Sequence, residues 1–432
     1  MNTKTLELKR PFILNKIVIG IDPSKRKHQV AILDENGIQQ GKSFAFENSS
    51  EGYNNLWNKL TFRGIEVNEK NMVFAVETSC NLWQNITFYL YSEGFHVVLV
   101  SPLRTKYSRP VINNDFSRTD PKDAHIAVYN ARNGHFDYYR DFSTQIKAMH
   151  HYSITYNKLK ENLVQNKGRI RAQIERIFPE FLDILSIDTN TAKYLLKRYF
   201  LPKHFLEIDI KKEAKQIMQI SRSQHGEETL LKLKEVSVNS IGVKIKEEEI
   251  LSYRISLDSW LILLEQIESQ MKVLLEQLYK LAIQTTYLPI LKSLKGISNK
   301  MAALFIAECR DLSLFTHYKK LEKYAGYNLR IANSGDFVGS RRMSRLGNKR
   351  LSWIIYKMTE ETVRYVPEIR MKFIRRQLKH KQYRKNIIAC SSVLLKLIIS
   401  LSKAGRTYEY REIVLEQMAY LEEKYKKEKK VA

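Results

Sequence analysis

Short apolar runs separated by polar turns open the chain. Ile17–Ile21 is mostly β-branched, contains Gly20, ends at Asp22 and is stopped by Pro23. Gln29–Leu33 is a second run, and Glu35-Asn36-Gly37 is a turn signal, so a hairpin is expected. Gln39–Phe46 reads as a third strand. Glu51–Leu60 places Tyr53, Leu56, Trp57 and Leu60 on one side of a helix. Met72–Val76 is another strand, ending at Glu77. Asn81–Glu93 predicts a helix with Leu82, Ile86, Tyr89 and Leu90 inward and Gly94 at its end, and His96–Val100 is the next strand. A basic loop, Arg104–Arg118, then leads to a helix that begins within RTDPKDAHIA, where Pro121 suits the first turn.

Longer periods follow. Tyr152, Tyr156, Leu159, Leu163, Ile170 and Ile174 predict one long helix ended by Pro179, and 180–240 reads as short helices and polar turns. Ile250, Tyr253, Leu257, Trp260, Leu264, Ile267, Met271, Leu274, Leu278 and Leu281 alternate steps of three and four, the seam of a coiled coil. An antiparallel hairpin on the 152–174 helix would satisfy the same seam and could still present a dimer face. Leu291–Glu308 resembles a helix-hairpin-helix, with Ser298 where the second glycine usually stands. The expected division is 15–140 α/β, 141–290 helical and coiled-coil, 291–405 mainly α, and 406–432 a charged helical tail.

Composition sharpens this outline. The 432 residues carry 72 Lys+Arg against 46 Asp+Glu, a formal charge of +26, which points to a polyanion and most simply to nucleic acid. The charge is clustered: 341–385 holds 15 Lys/Arg against 3 Glu, interleaved with Tyr356, Tyr365, Phe373 and Tyr383. Arg341, Arg342, Arg345, Lys349 and Arg350 are the candidate nucleic-acid contacts. Cys80, Cys309 and Cys390 form no zinc pattern, and a reducing, cytoplasmic setting is expected. Ile387–Leu401 is interrupted by Ser391, Ser392 and Lys396 and reads as a buried helix, so no membrane is expected.

Two acids sit at strand ends, Asp22 and Glu77, and two more lie three residues apart on one helical face, Asp120 and Asp123. Singly, each has a local explanation as a turn or cap residue. Four carboxylates drawn together would repel, by about 4 kcal/mol for each pair about 4 Å apart at an effective dielectric of roughly 20. Such a cluster makes sense only with cations. Two Mg²⁺ or Mn²⁺ ions would balance it and could serve phosphoryl transfer.

The order β-β-(β)-α-β-α-β-loop-α resembles an RNase H-like domain. The segments VIGIDPSKRKHQVAILDENG, FAVETS, HVVLVSP and RTDPKDAHIA resemble the DEDD transposases of bacterial insertion sequences, whose catalytic domain is RuvC-like. The resemblance implies that Asp22, Glu77, Asp120 and Asp123 form the acidic tetrad, with Ser24 and Lys25 as the polar pair after the first acid. Tyr324-Ala325-Gly326-Tyr327, Asn333-Ser334-Gly335 and SRRMSRLGNKRLSW resemble the C-terminal domain of the same family. It implies a serine that attacks DNA phosphate and stays covalently linked. Ser334 is the first choice, Ser344 the reserve and Ser340 a third candidate, with His317 the nearest histidine. It further implies a dimer or tetramer in which the two domains meet, and a structured guide RNA from the same element. A metal-dependent nuclease that uses water, and a non-catalytic nucleic-acid scaffold, are the competing readings.

Overall fold

Alternating side chains along β-branched runs fix the first layers of this protein. The computed structural model describes residues 3–79, 81–113, 119–330, 333–334, 337–339, 342–344 and 346–431. Cys80, Arg118, Gly335, Ser340, Arg341 and Arg345 lie outside the described residues. The chain divides into two units, Met1–Asp141 and Phe142–Ala432.

The first unit runs α1 (Thr3–Ile13), β1 (Ile17–Asp22), β2 (Lys27–Leu33), β3 (Phe44–Glu47), α2 (Ser50–Phe62), β4 (Met72–Glu77), α3 (Trp83–Ser92), β5 (His96–Val100), α4 (Pro102–Asn113), α5 (Asp120–Arg132) and β6 (Asp137–Tyr138). The sheet order is β3-β2-β1-β4-β5-β6. β1, β4 and β5 are parallel, while β2, β3 and β6 pair antiparallel to their neighbours. This is the mixed sheet with flanking helices of an RNase H-like domain. The third strand is shorter than expected, Phe44–Glu47. The expected basic loop after β5 is instead largely helical, as α4 with Pro110 inside it. The Ser101 carbonyl accepts the Thr105 N–H and starts this helix.

Successive strand residues face opposite sides. Ile19, Ile21, Phe74 and Val76 pack with Leu56, Leu60, Ile86 and Leu90 of α2 and α3. Val18, Val73, Ala75 and Val98 pack with Ala124, Val128 and Ala131 of α5. Small residues on the second face let α5 come close. A Cβ at Gly20 would lie 2.5 Å from the Ala124 carbonyl oxygen and 2.9 Å from the Val128 nitrogen. At the far end of α5, Arg132 donates from Nη1 to the carbonyls of Ile13 and Lys16, at 3.0 and 3.3 Å, just before β1 begins. The helix therefore runs antiparallel to β1, with its N-terminus over the strand's carboxyl end.

The second unit is helical. α6 (Thr144–Ile177) is followed by α7 (Phe181–Ile184), α8 (Asn190–Leu196), α9 (Pro202–Leu206), α10 (Ile210–Ser221), α11 (Glu227–Val238) and α12 (Glu247–Ile283). Gln145, Asn166 and Gln173 donate to the carbonyls of Leu281, Trp260 and Tyr253, each at 2.8 Å. Partner numbers fall along α12 as they rise along α6, so the pair is an antiparallel hairpin. Leu257, Leu264, Ile267, Met271 and Leu278 of the heptad seam are buried. Their cover is α6 of the same chain.

Beyond the hairpin come α13 (Tyr287–Ser293), α14 (Asn299–Cys309), a short 3-10 turn (Leu312–Leu314), α15 (Tyr318–Tyr324), β7 (Leu329–Arg330), β8 (Asn333–Ser334), β9 (Phe337–Val338) and β10 (Arg342–Met343). α16 (Lys349–Thr362), α17 (Pro367–Gln377), α18 (Tyr383–Ala404) and α19 (Glu412–Val431) follow. Met149, Tyr156, Ile267 and Met271 of the hairpin share one core with α13–α18. α18 is long and apolar enough to cross a membrane. Its Ile387, Cys390, Leu394, Leu395 and Ile398 are fully buried in that core, as expected from its sequence. The charged tail helix α19 lies on α17, with Arg370 Nε 2.9 Å from Glu422. The α13–α14 turn is filled by Gly296 at φ +104, packed on the Glu361 carbonyl of α16, and Ser298 caps α14 by accepting the Met301 N–H.

Candidate functional site

Two places in the chain gather the residues singled out by sequence. The first is the carboxyl edge of the sheet. Ile21 pairs with Val76 across parallel β1 and β4, so Asp22 and Glu77 are the next residues out on adjacent strands. Gly20 and Asp22 share a parity on β1, and Ala75 and Glu77 share one on β4. Both acids therefore belong to the face covered by α5. Asp120 and Asp123 lie in the first turn of α5, after Thr119 and with Pro121 at the helix start. The antiparallel run of α5 carries that turn to the same edge.

The four acids are not equivalent. Glu77 is 3% exposed and Asp123 2%, whereas Asp120 is exposed and Asp22 half-buried. Asp123 is gripped by a guanidinium that sequence reading missed. Arg109 of α4 donates from Nε and Nη2 to Oδ1 at 2.9 and 2.8 Å, and from Nη2 to Oδ2 at 2.9 Å. A forked, largely buried pair of this kind is among the stronger charge-assisted contacts. Its signal was hidden because Arg109-Pro110 sat in a segment expected to be a loop. Ser24 serves the turn after β1: its hydroxyl donates to the Lys27 carbonyl, and its N–H reaches His28 Nδ1 at 3.2 Å. Lys25 is exposed. Burial lowers the pKa of His28, partly offset by Asn48.

Among the described residues, no three His, Cys, Asp or Glu side chains stand together as a ready metal cage. The donor chemistry nonetheless fits a hard divalent cation. All four candidates offer carboxylate oxygens, two of them are buried, and their backbones meet at one edge. Closing the set requires Asp120 to turn inward and the Asp123 oxygens, both bonded by Arg109, to face the cation as well.

The second place is a β-hairpin in the second unit. Leu329 and Arg330 pair with Met343 and Arg342, and Asn333 and Ser334 pair with Val338 and Phe337. Ser334 thus stands in the inner ladder, opposite Phe337. The chain enters and leaves this hairpin through one clamp. The Asn348 N–H bonds the Tyr324 carbonyl, and the Ser344 N–H bonds the Asn328 carbonyl, each at 2.8 Å. A Cβ at Gly347 would lie 2.6 Å from the Tyr324 oxygen, so only glycine lets the two segments touch. The two sequence motifs flanking the hairpin are the two halves of this clamp. Asn348, not Ser344, caps α16 by accepting the Leu351 N–H at 3.1 Å. His317 Nδ1 likewise accepts the Lys319 N–H and caps α15.

Behind the clamp lies Glu308, fully buried at the end of α14 and also missed by sequence reading. It accepts from Ser153 Oγ (2.7 Å), Asn348 Nδ2 (2.6 Å) and Arg350 Nε (2.7 Å). Burial pushes its carboxyl pKa up. The bonds from Arg350, Asn348 and Ser153 outweigh that and hold it below its ordinary value. Of the candidate nucleic-acid contacts, Arg342 and Lys349 are exposed. Arg350 bonds Glu308, and Arg341 and Arg345 lie outside the described residues.

Comparison with known proteins gives two matches. Residues 19–179 match a DEDD transposase profile of the IS110 type. Residues 288–373 match the transposase profile of the IS116/IS110/IS902 family. The two together cover more than half of the chain, and no individual curated protein matches it.

Proposed function

The chain belongs to the IS110-type family of DEDD transposases and is a DNA transposase/recombinase of an insertion sequence; on that premise we propose that it cuts and joins DNA using a serine nucleophile and a metal-binding acidic tetrad. The observation that carries this reading is the meeting of β1, β4 and the first turn of α5 at one sheet edge. DEDD transposase domains use divalent metal in general. In this chain Asp22, Glu77, Asp120 and Asp123 would hold it, as Mg²⁺ or Mn²⁺ and as two ions by charge balance. When bound, such ions stabilise negative charge on phosphate oxygens. Arg109 orients the Asp123 carboxylate within the buried edge.

Ser334 supplies the nucleophile. Its hydroxyl oxygen attacks phosphorus, the bond from phosphorus to one sugar oxygen breaks, and the departing sugar oxygen gains the proton the serine loses. The product is a phosphoserine link plus a free sugar hydroxyl, and reversal with a second DNA end joins strands. The hairpin carrying Ser334 is anchored by the Glu308–Asn348–Arg350 network. The basic, aromatic-rich stretch 341–385 supplies phosphate contacts. A structured guide RNA and a dimer or tetramer complete the proposed assembly, base pairing giving the specificity that phosphate contacts lack.

The test is to incubate the full-length protein with element-end DNA, its flanking non-coding RNA and Mg²⁺, then denature. A protein–DNA adduct that survives denaturation and is lost in Ser334→Ala supports the serine mechanism. Free cleaved ends without adduct indicate hydrolysis by water. An adduct that persists in Ser334→Ala overturns the choice of serine.

A further inference from the structure

Three helices of the second unit gather ammonium groups over aromatic rings at a place no motif marks. α6 carries Tyr156 and Lys160 one turn apart, and α16 carries Trp353 and Lys357 one turn apart. Lys160 Nζ lies 3.0 Å from the Trp353 ring centroid. Lys300 Nζ, from the first turn of α14, lies 5.1 Å from the Tyr156 centroid. Burial first, then the ammoniums of Lys300 and Lys357, lower the Lys160 pKa to about 8. Lys357 has Glu360 at 2.6 Å. Among the described residues, neither Lys160 nor Lys300 has a carboxylate within ion-pair distance. Lys300 also lines a cleft of about 440 Å³ whose polar side chains include Lys272 and Asn299 as well as Glu268 and Glu276, so the anion is placed at the ammonium cluster and not in the cleft.

Mutual repulsion weighs against holding three cations together, and among the described residues two of them form no ion pair. An anion between the three ammoniums would relieve their repulsion and face the positive end of the α14 dipole. The anion this enzyme meets at high local concentration is a nucleic-acid backbone. We propose that Lys160, Lys300 and Lys357 form a binding site for a phosphodiester group, in DNA or in RNA. The site rests on the family's action on nucleic acid but not on the serine or the tetrad. The aromatic faces hold the ammoniums in place, so that little side-chain freedom is lost on binding.

The experiment is fluorescence anisotropy of the full-length protein with a labelled DNA duplex and, separately, a labelled RNA hairpin, each over a range of salt. Lys160→Gln/Lys300→Gln should weaken binding about tenfold and flatten the log affinity–log salt slope by about one. Lys211→Gln/Lys212→Gln removes equal charge from the exposed start of α10 and should stay within about twofold of wild type. Lys160→Arg keeps charge and ring contact and should retain binding. Lys300→Gln alone, at an exposed position, guards against misfolding and should still flatten the slope. Loss with only one of the two probes assigns the site to that nucleic acid. A double variant indistinguishable from the α10 control, or Lys160→Arg as weak as Lys160→Gln, overturns the site. Wild-type protein that binds neither probe would strike at the family-level reading instead.

Discussion

Arg109 sets the terms on which Asp123 can meet a cation. A guanidinium already bonded to both carboxylate oxygens repels any second positive charge, by about 4 kcal/mol for unit charges about 4 Å apart at an effective dielectric near 20. Arg109→Gln removes the repulsion and keeps a donor. Mn²⁺ titrated into that variant should bind at least about tenfold more tightly than in wild type, measured by calorimetry; unchanged affinity would mean that Asp123 does not face the metal. Glu308 is the corresponding residue in the second unit. Glu308→Ala strips a buried acceptor from three donors and leaves Arg350 without its carboxylate, so the loss should reach about 3 kcal/mol. Hydrogen exchange should show the α16 N-terminus and the Asn348 amide losing protection first. Neither residue was legible in the sequence. Arg109 precedes a proline in a polar stretch, and Glu308 ends an apolar helix, where a lone acid reads as a solvent-facing cap.

At the scale of elements, close approach is what positions the acids. α5 can run directly over β1 because Gly20 has no side chain. Gly20→Ala should destabilise the first unit by about 1–3 kcal/mol through overpacking and push the α5 N-terminus off the sheet edge. Reduced Mn²⁺ affinity alongside the lower stability would report that displacement; a variant with wild-type stability would contradict the packing. The strands and α5 were readable because β-branched runs, turn signals and Pro121 agree with one another. α4 was not, since Pro110 and six polar neighbours mask a helix whose start is set by Ser101. The heptad seam was legible as a seam but not as to its partner. Spacing alone describes a dimer and an intrachain hairpin equally, and only the hydrogen bonds from Gln145, Asn166 and Gln173 identify α6. The serine hairpin was visible only as motifs, Asn333-Ser334-Gly335 within it and one on either side, not as strands. Two-residue strands carry too little periodicity to announce themselves.

For the whole molecule, the excess of cations falls in the second unit: residues 142–432 hold 54 Lys/Arg against 31 Asp/Glu, and residues 1–141 hold 18 against 15. The first unit concentrates four carboxylates at one edge, while the second carries the basic stretch 341–385 and the lysine cluster on α6, α14 and α16. A net charge of +26 is thus not an even coat but the footprint of a polyanion on a helical body. The proposed metal centre joins acids a hundred positions apart in sequence. It is tested most directly by Mn²⁺ binding to full-length protein, followed by electron paramagnetic resonance, in Asp22→Asn, Glu77→Gln, Asp120→Asn and Asp123→Asn, with folding checked by circular dichroism. Each folded variant should lose at least about tenfold in affinity for bound Mn²⁺. A folded Asp22 or Glu77 variant that binds Mn²⁺ as wild type does would mean that the four acids do not form one metal centre.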